Sequence, residues 1–477
     1  MNIQPGAKAG NETSSLDYSI HSTAVIAMSA TPGIFRLVRQ LLTLLFLAIS
    51  FWIRAAEPVQ DQTQAAKEFV GLLSQGNFAG ALKQCDATML AALPGEKLKE
   101  IWQSLADQAG PFQKQLQTRT EKMAGYDIAF VTSQFEKAKV DIKVVLNSKR
   151  QVAGLFFLPG SEPAAPPSYV RPEAFQEKAA TVGQGKWALP GTLSMPLGSG
   201  PFAAVVLVHG SGPSDRDETI GPNKPFRDFA QGLASQGIAV LRYEKRTKQY
   251  PTECVALGAK LTVKDETIDD AVAAVALLGQ TPGVDPKRIF VLGHSLGGMV
   301  APRIAKAAPA IAGLVIMAAG NRGLEDAMIE QRDYIASLEP NRSAEVSKQF
   351  EKFNTEMAKV KALTTNDVTS STSVLGAPPH YWLDLRGYVP ARAAKDLKCP
   401  LLILQGGRDY QSTIADYEIW QAILEGKTSV TFKLYPALNH LFISGVGKCT
   451  PAEYEKPGHV AAEVVRDIAQ WLSIPAS

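Results

Sequence analysis

At 477 residues the chain is longer than one compact core accommodates, so two domains plus a leader are expected. Apolar residues make up 45% and charged residues 20%, the balance of an ordinary soluble globular protein. The net charge of +3 is spread without a basic run, which excludes nucleic acid as the expected partner and singles out no acidic substrate.

Residues 1–56 read as a leader. Arg36 and Arg39 precede the apolar stretch Leu41–Ile53, and Ala55 and Ala56 follow it. A basic region, a short apolar region and small residues beyond are the pattern of a secretory signal. The stretch is shorter than the ~20 residues a bilayer-spanning helix needs. Arg54 lies where a small residue is preferred, which leaves an uncleaved anchor as the alternative and the only expected membrane attachment. Export to the periplasm or beyond is expected in both cases. No Cys follows the stretch, so a lipid-modified N-terminus is not expected, and the flanking charges argue against a buried core helix there. The polar residues 1–27 fit no signal pattern; either translation starts at Met28 or the basic region is long.

Residues 61–158 read as a small α+β domain. Ala66, Phe69, Val70 and Leu73 recur at helical spacing, as do Phe78, Ala81, Leu82 and Cys85, then Leu98, Ile101, Trp102 and Leu105. After Gly125 alternation and β-rich runs take over, over Ala138–Leu146 and Val152–Leu158. Pro159–Pro167 carries five prolines or glycines among nine residues and opens a linker placed at 159–186.

From 187 to 477 short apolar runs alternate with helical patterns. Ala204–Val208, Ala239–Tyr243, Ile289–Leu292, Gly313–Met317 and Leu401–Leu404 have the length and β-branched content of strands buried on both faces of a parallel sheet. Ile268, Val272, Val275 and Ala276 mark an intervening helix. The fold class is therefore α/β, a mostly parallel doubly wound sheet whose ligands sit at the carboxyl ends of its strands. An insertion at about 321–396 exceeds a simple crossover. Its helix, with Val346, Phe350, Phe353, Met357 and Val360 on one face, is expected to be a lid, with extra core packing as the alternative.

Gly293-His294-Ser295-Leu296-Gly297 matches G-x-S-x-G and sits where a nucleophile elbow requires it, between the strand Ile289–Leu292 and a helix containing Val300, Ile304 and Ala305. Ser295 is the candidate nucleophile. Among the six histidines, His440 alone combines a loop just after a strand, Val430–Tyr435, with a position after the acid candidate, so it is the expected base. His21 precedes the leader, His209 lies on an early strand, His294 is expected to point away from its serine neighbour, His380 is in the insertion and His459 begins a helix. Asp409, just beyond Leu401–Leu404, is the expected acid that orients the imidazole. The order Ser295, Asp409, His440 matches the hydrolase arrangement of this motif. Two N–H donors are needed for an oxyanion: Leu296 supplies one, and Ser211 is the choice for the other, with Gly210 next. Arg216 and Asp217 are expected to brace that loop by a salt bridge, with substrate binding as the alternative. Tyr381 and Trp382 are expected to line an apolar acyl pocket, with lid packing as the alternative.

Four cysteines are too few for a disulfide scaffold. Cys85 and Cys399 are expected to be buried thiols, while Cys254 and Cys449, placed in loops, are the candidate pair. No Cys/His cluster suggests a metal.

These residues carry a resemblance. Residues 187–475 resemble the α/β-hydrolase superfamily, and the string from His209 through Gly-Ser-Gly-Pro-Ser-Asp-Arg-Asp-Glu-Thr-Ile-Gly-Pro-Asn-Lys to Pro225 is similar to a bacterial esterase family related to dienelactone hydrolases and serine aminopeptidase-like domains. Leu241–Thr247, Pro379–Trp382 and Gln405–Gln411 extend the match. The resemblance implies a carboxylesterase acting on small-molecule esters of short acyl chains, through an acyl-enzyme and without metal or organic cofactor. Dienelactone hydrolases proper use Cys where this chain has Ser295, which makes dienelactones a poor substrate expectation. The first domain resembles a small domain of unknown function often fused ahead of such hydrolases, with a fold similar to nuclear-transport-factor-like domains. Two other readings stand beside the esterase. A serine exopeptidase needs a carboxylate pair for a free amino group, and none can be placed. An envelope ligand-binding module with an inactive hydrolase scaffold is the other, against which the intact triad speaks.

Overall fold

The computed structural model describes residues 60–473 apart from 94, 124–125, 161–164, 339–342 and 371. The expected leader lies outside the described residues. The remainder forms two units that meet in sequence between Pro159 and Gly160.

In the first unit four helices, Gln60–Ser74, Phe78–Lys83, Ala87–Ala92 and Gly95–Ala109, precede a four-stranded sheet. The strands are β1 (Phe112–Met123), β2 (Tyr126–Phe135), β3 (Lys139–Leu146) and β4 (Val152–Pro159), in the order β1-β2-β3-β4. Two helices start at side-chain caps, where Asn77 Oδ1 accepts from Gly80 N at 2.9 Å and Asp86 Oδ1 from Met89 N at 2.8 Å. The helical stripe Ala66, Phe69, Val70 and Leu73 is fully buried against Val131, Phe135, Ile142 and Val144 of the sheet. β1 begins ahead of Gly125, where no strand was expected. Its sequence is dominated by Gln, Lys, Thr and Arg because it is an edge strand, and polar edges resist pairing with other chains.

The second unit is built on an eight-stranded sheet. Its strands are β5 (Phe175–Val182), β6 (Leu189–Pro196), β7 (Phe202–Val208), β8 (Ala239–Tyr243), β9 (Val284–His294), β10 (Gly313–Met317), β11 (Leu401–Gly406) and β12 (Val430–Tyr435). They lie in the order β12-β11-β10-β9-β7-β8-β6-β5. β7 to β12 run parallel to one another, while β5 and β6 are antiparallel additions at one edge. The middle strands carry buried apolar runs, Ala203–Val208, Ile289–Leu292 and Gly313–Met317, because helices cover both faces. On one face pack Ala271, Ala274, Val300, Ile304, Ala391 and Trp420; on the other, Phe226, Phe229, Leu233, Val464, Val465 and Ile468. From β7 the chain runs first to β8 on one side and then to β9 on the other. The carboxyl ends of β7 and β9 therefore flank the switch point, where such sheets bind ligands.

Two boundaries differ from the sequence expectation. The linker placed at 159–186 is shorter, because Phe175–Val182 forms β5 and Tyr169 and Arg171 are tied to the second unit through Val460 and Ser235. The strand escaped notice because it is an exposed edge that includes Gln176, Glu177 and Lys178, so it carries no apolar run. The insertion at 321–396 also ends earlier. Its last helix, Pro390–Lys395, buries Ala391 and Ala394 in the main core and acts as the crossover between β10 and β11. The helix Ala344–Ala362 does bury the expected Val346, Met357 and Val360, the last two in a separate apolar cluster with Val374 and Trp382. Among the described residues no helix is long and apolar enough to cross a membrane.

Candidate active site

Ser295 occupies the single residue between β9 and the helix Leu296–Ala307, with φ 53° and ψ −118°. A non-glycine residue there is strained, and the surrounding sequence explains how it is held. A Cβ on Gly293 would lie 2.3 Å from Gly297 O, and one on Gly297 would lie 2.2 Å from Val208 O. Only glycines let β9, the helix and β7 close this tightly. Ser295 N donates to Met317 O at 2.9 Å, which ties the elbow to the end of β10. Leu296 N–H is the first of the helix and has no carbonyl within the helix to bond.

A second glycine pair brings the acid and base together. Cβ atoms on Gly406 and Gly407 would meet Asn439 O at 2.6 Å and Pro436 Cα at 2.7 Å, so the 436–440 loop folds directly over the end of β11. Asp409 Oδ1 accepts from Gln411 N at 2.7 Å and Ser412 N at 3.1 Å. Oδ2 accepts from Gln405 Nε2 at 3.3 Å and bonds His440 Nδ1 at 2.7 Å. Both residues are buried, Asp409 at 6% exposure and His440 at 4%. The carboxylate thus has one oxygen held by backbone N–H groups and the other shared between Gln405 and the imidazole, which leaves His440 Nε2 outside the Asp409 contact.

Sequence reasoning missed the side chains that connect these parts. His294 does not simply point away: Nε2 bonds His440 O at 2.9 Å, and its ring lies 4.7 Å from the His440 ring. The residue before the nucleophile therefore touches the candidate base directly. His294 Nδ1 meets Glu218 Oε2 at 2.9 Å, as an ion pair rather than an aligned hydrogen bond. Burial opposes a charged imidazole, yet the Glu218 carboxylate outweighs it and raises the His294 pKa above 6.5; Glu218 is held below 4.5 against its own burial by His294. Glu218 sits inside the string that carries the resemblance, but an Asp-rich loop gives no local signal for which carboxylate turns inward.

The loop after β7 approaches the elbow closely. A Cβ on Gly210 would stand 3.1 Å from Ser295 Cβ. Gly210 N–H is occupied by Glu218 Oε1 at 2.7 Å, whereas the Ser211 N–H takes no part in the backbone hydrogen bonds of the described residues. Between the two donors weighed from the sequence, Ser211 is the one left free. His209 bonds Asp215 O at 3.0 Å, and burial pushes its pKa down to about 4, so it stays neutral. Arg216 and Asp217 brace the loop as expected, though not against each other. Arg216 pairs with Glu244 at 2.7 Å, and Asp217 with Lys224 and Arg242 at 3.0 Å each.

Tyr381 and Trp382 are placed in packing, the alternative weighed for them. Tyr381 joins the main core and donates to Glu266 Oε2 at 2.6 Å; Trp382 joins the insertion cluster and donates to Val374 O at 2.9 Å. Cys254 is on the helix Pro251–Leu257 rather than in a loop, and all four thiols are free. Cys85, Cys254 and Cys449 are buried, and Cys399 is only partly so.

Residues 205–445 match a family model described as the alpha/beta hydrolase family. The chain belongs to that family. Residues 66–155 match a model described as a protein of unknown function (DUF3887). Over 413 residues the chain is 43% identical to esterase EstD of Thermotoga maritima, covering 86% of this chain and 95% of that protein. Among solved structures, an esterase from Pyrococcus furiosus aligns with TM-score 0.39 and 19% identity over 63% of this chain and 92% of its own. A putative dienelactone hydrolase from Klebsiella pneumoniae aligns with TM-score 0.38 and 16% identity over 63% of this chain and 100% of its own.

Proposed function

We propose that the protein is a serine esterase that cleaves carboxylic esters, with short acyl groups preferred, through an acyl-enzyme on Ser295. The observation that carries this is the 2.7 Å Asp409–His440 hydrogen bond, set beside a strained elbow whose own His294 grips the His440 loop. In the proposed cycle His440 Nε2 takes the Ser295 proton as Oγ attacks the ester carbonyl. The N–H groups of Leu296 and Ser211 receive the oxyanion. The tetrahedral adduct collapses, His440 protonates the departing alkoxide, and water repeats the sequence to release the acid. The relationship to esterase EstD supports the ester substrate class.

We also propose that the helical insertion serves as a lid. Tyr334 on its first helix, Leu324–Leu338, stacks at 4.8 Å and 5° on Tyr410, the neighbour of Asp409, which supports a position beside the acid loop. Export is proposed on the leader sequence at Arg36–Ala56. Turnover of p-nitrophenyl butyrate tests the main reading. Ser295→Ala is expected to abolish it with little change in thermal unfolding, and retained turnover would overturn the assignment.

A further inference from the structure

We propose that Lys245 is a positioning residue whose buried ammonium aims and strengthens the Ser211 N–H as an oxyanion donor. The proposal rests on the esterase reading above. Lys245 follows β8 and is 1% exposed, a location where an ammonium loses its water and must be compensated. Two groups compensate it. Its Nζ donates to Gly210 O at 2.8 Å and pairs with Glu266 Oε1 at 3.2 Å.

The Gly210 carbonyl belongs to the same peptide unit as the Ser211 N–H. A trans peptide is planar, with C=O and N–H pointing in opposite directions. Fixing the carbonyl on one side therefore fixes the direction of the N–H on the other. A charge-assisted hydrogen bond at the oxygen also polarises the unit, which makes the amide hydrogen a better donor. The preceding peptide is pinned as well, because Gly210 N–H is held by Glu218 Oε1 at 2.7 Å. Both planes around Gly210 are thus locked by buried charges, at a position where glycine would otherwise leave the backbone free to rotate. A Cβ on Gly210 would crowd Ser295 Cβ at 3.1 Å, so glycine suits this close approach.

The lysine is itself held from the insertion. Glu266 accepts from Tyr381 at 2.6 Å through Oε2 and from Thr247 Oγ1 at 3.1 Å through Oε1. Tyr381 lies on the helix Pro379–Leu385, so the line Tyr381–Glu266–Lys245–Gly210 runs from the insertion to the oxyanion loop. A buried ion pair is a poor stabilising device, since apolar residues of similar volume often serve as well. Its placement on the donor peptide points to preorganisation of the site, where fixed dipoles cost nothing at the moment of reaction. This also gives Tyr381 a role other than lining a pocket.

The test compares wild type, Lys245→Met, Tyr381→Phe and Ser295→Ala in full-length protein. Steady-state hydrolysis of p-nitrophenyl butyrate is measured beside inhibition by an aliphatic trifluoromethyl ketone, whose adduct on serine carries an oxyanion. Removing an oxyanion donor outright typically costs about 10²–10³ in kcat. Lys245→Met leaves the donor but frees its plane, so a kcat loss of about 10- to 100-fold is expected, with KM changed less than about twofold. The ketone inhibition constant is expected to rise by the factor that kcat/KM falls, which a merely structural defect would not produce. Tyr381→Phe should show the same proportionality at a smaller loss and serves alone if Lys245→Met does not fold. Wild-type kcat in the folded lysine variant, or in Tyr381→Phe if only that folds, overturns the proposal. So does a kcat loss without a matching change in ketone affinity. Turnover surviving in Ser295→Ala would instead remove the serine reading, and this proposal with it.

Discussion

Replacing Asp409 by Asn should cost between about 30- and 10⁴-fold in kcat, and the hydrogen bonds around the carboxylate set that range. Oδ1 accepts from two backbone N–H groups, Gln411 at 2.7 Å and Ser412 at 3.1 Å. An asparagine must keep its carbonyl oxygen there, since turning its amide toward one buried and one partly buried donor would leave both unsatisfied at about 1–3 kcal/mol each. Its NH₂ group then faces His440 Nδ1, where Oδ2 sits now at 2.7 Å. Nδ1 is forced to accept, the proton moves to Nε2, and the ring can no longer take a proton from Ser295. The equivalent change in a serine protease triad lowers kcat by about 10⁴. The flipped amide restores the working tautomer but costs at least about 2 kcal/mol, which caps the active fraction near one in 30. The assay is kcat on p-nitrophenyl butyrate at pH 7–8, with a urea transition to confirm a folded variant. An Asp409→Asn enzyme retaining more than a tenth of wild-type kcat would refute this account of the tautomer.

Other expectations follow from the same geometry. Gly297→Ala should destabilise the second unit by 3 kcal/mol or more, beyond the ~1–3 typical of overpacking, because the new Cβ would meet a backbone oxygen at 2.2 Å; an unchanged urea midpoint would contradict the close approach. The Glu218–His294 pair should make stability depend on pH in two directions. His294 is raised above 6.5, so its contribution is complete below that value and is lost as pH rises through the higher folded pKa. Glu218 is lowered below 4.5, so its contribution is complete above that value and is lost as pH falls through the lower folded pKa. Urea midpoints between pH 3 and 9 should therefore show a shared maximum between about 4.5 and 6.5 that flattens in Glu218→Gln, and identical profiles would count against the ion pair. Burial pushes the thiol of Cys85 up to about 11 and those of Cys254 and Cys449 up to about 12. In native protein at pH 8 these three should react with Ellman's reagent only on unfolding, and prompt labelling of Cys254 would show that its helix opens.

Where sequence and structure agree, the signal is local. Ala239–Tyr243, Gly313–Met317 and Val430–Tyr435 emerge with the bounds their composition suggests, and G-x-S-x-G marks the elbow because close packing dictates its glycines. The edge strands β1 and β5 were illegible because solvent-facing edges carry charge rather than an apolar pattern. The same limit applies around the site. Ser295, Asp409 and His440 stand out by motif and order, but Glu218, Lys245 and Glu266 act through partners 35 residues away or more in two cases out of three contacts: Glu218 on His294, Lys245 on Gly210 and, nearer, Glu266 on Lys245. No spacing rule announces a buried charge whose partner is set by tertiary folding. His294 points elsewhere than Ser295, as expected, but its partners, the His440 carbonyl and Glu218, were illegible for the same reason.

The central claim is that Ser295 is made nucleophilic by His440. Labelling with a fluorophosphonate, followed by intact mass and peptide mapping, tests this most directly. The account predicts one adduct, on Ser295, formed at least about 100-fold more slowly in His440→Ala. An adduct mapped to another residue, or equal labelling rates in the two proteins, would contradict it.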